Sequence, residues 1–168
     1  MLNSQTMTGR NALRILLACP VLLLWLDGNA FGQTAGLQQR LAKATRLDCT
    51  FSVVVKGTWK DGTPTTDVTP SKLTVTFSDI NIDEGTAAAG STLGTSATSL
   101  VVVRYSNDYL HLMQTQGAGP LYTTTVIARE TKDGRLMAVH TRHEYTQISL
   151  PGFTSRPEMY LGDCAVGG

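Results

Sequence analysis

The densest group of reactive side chains in this sequence is the run His140-Thr141-Arg142-His143-Glu144-Tyr145. Such a run could ligate a metal, exchange protons with a substrate, or form a polar face that receives a ligand. Spacing decides among these. On an extended strand, alternate side chains point to opposite faces, so His140, Arg142 and Glu144 share one side and Thr141, His143 and Tyr145 the other. The two imidazoles therefore cannot chelate one ion unless a bulge intervenes. Zinc asks for three or four convergent ligands, and His111 is the only other histidine. A hydrolase built on His140 or His143 needs an orienting acid, for which Asp108 or Asp163 would serve, and a nucleophile. No G-x-S-x-G elbow singles out a serine.

Other motifs carry less. The stretch from Gly85 to Thr92 approaches the phosphate loop G-x-x-x-x-G-K-[ST], but Ser91 stands where the lysine must be. Asp83-Glu84 reads as a turn, not as a two-carboxylate glycosidase site. Tyr105, Tyr109, Tyr122, Tyr145 and Tyr160 fall on or near expected strands, where tyrosines line pockets or cover the rim of a core. These readings assign no catalytic residue, no metal and no cofactor. They leave a ligand- or partner-binding face drawn from His140, Arg142, His143, Glu144, Tyr122 and Tyr145.

Strands must position that face. From Leu47 the pattern has period two, with Cys49, Phe51, Val53, Val55, Gly57 and Trp59 on the dry side and Val54 and Lys56 on the wet side. Residues 61–71 hold Pro64, Pro70 and many turn formers and read as an exposed loop. Leu73, Val75 and Phe77 resume the alternation, and the apolar phase slips after Asp79 to Ile80 and Ile82, which predicts a bulge. Turn signals at Asp83-Glu84-Gly85, Ser106-Asn107-Asp108 and Lys132-Asp133-Gly134 separate further strands. Residues 33–46, with Leu37, Leu41 and Ala44 at helical spacing, predict a short helix or a tail. No crossover helix interrupts the strands, so the sheet is antiparallel. The expectation is an all-β fold, a small up-and-down, calyx-like barrel of about eight strands over residues 47–168. A two-sheet sandwich shares the same alternation and is the alternative.

Composition sets the setting. Fourteen Lys and Arg against 13 Asp and Glu leave no field for nucleic acid or anionic membrane. Arg10 and Arg14 precede an apolar run from Ile15 to Leu26, followed by small residues at Gly28, Ala30 and Gly32. That is the layout of a signal peptide over residues 1–32. The run falls short of the roughly 20 residues that cross a bilayer, so no permanent span remains after cleavage. Cys19 leaves with the leader. In an oxidising compartment the remaining pair, Cys49 and Cys164, forms one disulfide across 115 residues. A link between the first and last strands suits closure of a barrel.

Cys49-Thr50-Phe51, the DGRLMAVHTRHEY stretch at 133–145 and the Y-L-G-D-C ending at 160–164 carry a resemblance. The chain resembles a group of small exported bacterial proteins with an A-V-H-[ST]-R-H strand and a Y-x-G-x-C-like ending. The resemblance implies a bacterial exported domain with the same cysteine pairing, and it brings no catalytic residues. The expected architecture is also similar to barrel inhibitors of lysozyme or proteases, although the S-G-A-R-Y motif of one such family is missing. The expected function is a secreted or periplasmic, non-enzymatic module that binds a small apolar ligand or a protein partner. The alternatives are a secreted hydrolase or metal-dependent enzyme using His140 or His143, and a structural, envelope-associated protein.

Overall fold

The computed structural model of the chain describes residues 28–91, 99–115, 121–143 and 157–167. A helix, α1 (Gly28–Ala42), is followed by β1 (Arg46–Lys60), β2 (Thr63–Asn81), β3 (Thr86–Ser91) and β4 (Ser99–Ser106). Then come β5 (Tyr109–Thr115), β6 (Leu121–Glu130), β7 (Leu136–His143) and β8 (Glu158–Gly167). Each strand pairs antiparallel with the next, and β8 returns to β1, so the sheet closes into a barrel. Closure, not a sandwich, is the outcome. It removes the sheet edges that a sandwich would leave exposed. The expected leader lies outside the described residues as far as residue 27, while α1 begins at Gly28 and ends at Ala42.

The barrel and the helical residues that pack on it belong to one unit, Thr34–Gly168. Leu41 and Ala44 are buried and Leu37 packs against the core, the three positions whose helical spacing marks the inward stripe. Polar contacts tie α1 to two hairpin turns. Gln38 Nε2 donates to Asp108 Oδ1 at 2.8 Å, and Tyr105 donates its hydroxyl to the Gln38 carbonyl. Arg40 reaches Glu130 at 2.6 Å and the carbonyl of Gly134. These contacts place the part of α1 from Thr34 onward at the barrel end at which β4 turns into β5 and β6 into β7. Above it, Leu47, Phe77, Leu110, Val126 and Leu136 fill the interior, all fully buried.

Cys49 and Cys164 sit directly opposite each other in the β1–β8 pairing and are disulfide-bonded, with both side chains buried in the barrel. On the outer surface of that seam Arg135 pairs with Asp163 and donates to the Asp48 carbonyl. Hydrogen bonds from Arg46, and then from Thr76, hold the Asp48 carboxyl below its usual range.

Two expectations are corrected. Residues 61–71 are not a loop. Asp61 and Gly62 both take positive φ and form a two-residue turn, from which β2 runs back along β1. The Asp-Gly pair is a hairpin signal, outweighed in the sequence by the two prolines. Lys60 and Thr63 close the turn, so Pro64 and Pro70 fall at positions whose nitrogens face away from β1. A missing N–H costs nothing there. The second correction concerns the face of β1. Alternation holds through Phe51, but the pairing with both neighbours shifts between Phe51 and Val53. Beyond that bulge Val54 and Lys56 turn inward, and Trp59 becomes exposed. The slip expected after Asp79 is present as a register shift between Ser78 and Asn81, with Asp79 at positive φ.

Candidate functional site

Antiparallel register stacks the inward side chains in layers. One layer, near the barrel end away from α1, runs from Val101 on β4 through Gln114, Tyr122, Arg142 and Glu158 to Lys56 on β1. The layer beneath holds Val103, Leu112, Thr124, His140, Tyr160 and Val54. Polar and aromatic groups thus concentrate on β6, β7, β8 and β1, facing aliphatic side chains from β4. Among the described residues, Gln114, Thr124, His140 and Glu158 are the buried polar or charged ones, and all belong to these two layers.

His140 is 3% exposed. Its Nδ1 and the Thr124 hydroxyl are 2.8 Å apart, and its ring packs against Phe51, Tyr122 and Tyr160. Burial, reinforced by the nearby Arg142 charge, pushes its pKa down to about 3. The imidazole is therefore neutral at physiological pH. Glu158 is buried as well and accepts a hydrogen bond from the Tyr160 hydroxyl. Lys56 Nζ lies 3.8 Å from its carboxylate, and an Arg142 terminal nitrogen 3.9 Å.

Arg142 is the unusual member. Its side chain is 12% exposed, and its guanidinium lies 5.5 Å from the centre of the Tyr122 ring and 5.2 Å from that of Tyr160. No hydrogen bond to it is present among the described residues. Its Nε is the one buried side-chain polar atom there without a partner.

The structure sorts the expected site residues as follows. His140, Arg142 and Tyr122 come together on the inner wall. His143 is exposed on the opposite face of β7, with its Nε2 3.0 Å from the Thr141 hydroxyl. Glu144 and Tyr145 lie outside the described residues. Neither described imidazole of β7 has a carboxylate as hydrogen-bond partner. Among the described residues no three His, Cys, Asp or Glu side chains are grouped to hold a metal ion. No described helix is long and apolar enough to cross a membrane.

Sequence reasoning missed Lys56, Gln114, Thr124 and Glu158. Lys56 was hidden by the bulge, which inverts the apparent wet face of β1. Glu158 follows Pro157 at the end of a turn-rich stretch, and only its pairing with Arg142 reveals its direction. In principle Arg142 signalled it, because an inward guanidinium calls for a cross-strand acid. No protein-family model, curated protein or solved structure matches the chain.

Proposed function

We propose that this protein is an exported, non-enzymatic binding module that takes a small ligand at the barrel end away from α1. The observation that carries this reading is the layer Gln114–Tyr122–Arg142–Glu158–Lys56, a polar and aromatic group set into the inner wall near the end away from α1. Ligand sites combine an apolar body with a few placed polar groups, and this end of the barrel offers that combination. Below it Phe51, Phe77, Leu110, Leu112 and Leu136 are fully buried side chains of the interior, which favours a ligand seated at the end over one buried in the middle. An eight-stranded barrel is just wide enough for side chains or one small ligand.

A signal-like leader and a formed Cys49–Cys164 bridge support a secreted or periplasmic setting. The reading gives His140 and His143 no catalytic role, on the ground of where they lie. The first is buried against a threonine and three rings, and the second lies on the other side of the wall.

Native mass spectrometry of protein purified from its own host tests the reading. A co-purifying small-molecule mass that is displaced on Tyr122→Ala substitution is the expected result. An apo peak that captures nothing from host extract would overturn it.

A partner-binding reading rests on a different surface. Val68, Met159 and Leu161 are exposed on the outer face, and Val55 pairs with both Val68 and Met159. These residues form an apolar band across β2, β1 and β8, of the kind that partners cover. Light scattering across a concentration series tests self-association through it.

A further inference from the structure

Arg142 has five N–H donors and no hydrogen-bond acceptor among the described residues, although its side chain is 12% exposed. Buried charges in proteins are normally paired and hydrogen-bonded, because an unsatisfied one bears the full cost of leaving water. Glu158 does not meet that need. It lies 3.9 Å from the guanidinium, it already accepts the Tyr160 hydroxyl, and Lys56 stands 3.8 Å away on its other side. The described layer thus holds two cations and one carboxylate, an excess of one positive charge. The rings of Tyr122 and Tyr160 flank the guanidinium, with their centres 5.5 and 5.2 Å from its carbon.

We propose that Arg142 is the recognition group for a small oxyanion, the carboxylate or phosphate head of the ligand taken at this end of the barrel, with Lys56 as the second cation. The inference rests on the end-binding reading above and adds to it the chemical class of the ligand. A planar guanidinium is suited to a two-oxygen head, since two parallel N–H groups meet two oxygens. One added negative charge would balance the described members of the layer. Lys56, whose side chain is 40% exposed, is free to swing toward the incoming group, whereas Arg142 is already flanked by the two rings.

Calorimetric titration of the purified protein with benzoate, phenyl phosphate and neutral benzamide tests the inference. At least one of the two anions should bind saturably and at least tenfold more tightly than benzamide, and which one prevails identifies the head group. Arg142→Met should weaken that binding at least tenfold, while Lys56→Met should weaken it less. The contrast between anion and amide is read on the unmodified protein, so it stands even if the Arg142→Met variant fails to fold. Equal binding of benzamide, binding indifferent to Arg142→Met, or no saturable binding of either anion would overturn the inference. The reading beneath it fails separately. If an uncharged host molecule co-purifies and survives Arg142→Met, the end-binding reading stands and only the oxyanion is lost. If no mass co-purifies and no probe binds, both are lost.

Discussion

Gly162 has no room for a side chain. A Cβ built there would overlap the carbonyl oxygen of Thr50 and come within 2.6 Å of Phe51 Cα, because the bulge in β1 presses its backbone against β8 at that point. Both obstacles are main chain, so neither can rotate away. Gly162→Ala should cost about 2 to 3 kcal/mol, at the upper end of overpacking effects, read as a lower urea midpoint with an unchanged slope. His140 makes a second prediction at this scale. Its folded pKa of about 3 lies below the unfolded value of 6.5, so between those values the unfolded chain holds one more proton than the folded one. Stability is therefore full above pH 6.5 and falls as the pH drops, by up to about 1.4 kcal/mol per unit. Between pH 7.5 and 4.5 this group alone should remove about 2.5 kcal/mol. Urea unfolding at the two pH values should show a smaller loss in His140→Gln, whose amide can still meet the Thr124 hydroxyl. An equal loss in both proteins would mean that the imidazole is not what responds to acid.

At the scale of elements, the hairpin arm formed by the end of β1 and the start of β2 extends past its last contact with β8 among the described residues, where Lys56 pairs with Glu158 and Gly57 donates to the Pro157 carbonyl. Among the described residues, β2 has no neighbour on its other side before Val75. Such an edge is a template for another chain, and Pro64 and Pro70 remove two of its outward donors. Replacing both prolines with threonine should restore those donors and raise self-association, seen as an increase in weight-average mass with concentration. The arm also shows where sequence reading stops. Period-two alternation and turn signals gave about eight strands, the number observed, because one dry face leaves a mark in every register. The alternation misplaced the strand start at Thr63, where both faces are wet, and it misassigned the second half of β1, where a bulge exchanges the faces without changing the residue types. Leu37, Leu41 and Ala44 left a helix and a tail both open, and the position of α1 was not legible, since Gln38 and Arg40 find their partners 70 and 90 residues away.

For the whole molecule, the ring of strands has one seam, at which the first and last strands meet, and the Cys49–Cys164 disulfide lies there. Chain-entropy reasoning for a 115-residue separation gives about 4 to 5 kcal/mol, with any native strain subtracting from it. Cys49→Ala together with Cys164→Ala should lower the unfolding free energy by about 2 to 4 kcal/mol, while far-ultraviolet circular dichroism of the folded protein stays the same. Loss of the β signal in the double variant would show that the ten-residue pairing of β1 with β8 cannot close the ring unaided. The bridge was legible from the leader-like pattern of the first residues and the even pair of thiols that follows it. The candidate site was legible in its β7 and β6 members, and hidden wherever it depended on which way the other walls faced. The arm carries one more consequence. It lies beyond the pairs that close the ring, so its tip can lengthen, shorten or accept a foreign peptide without disturbing closure. Among related chains this hairpin is where length should vary, and in the laboratory it is the natural place for a graft.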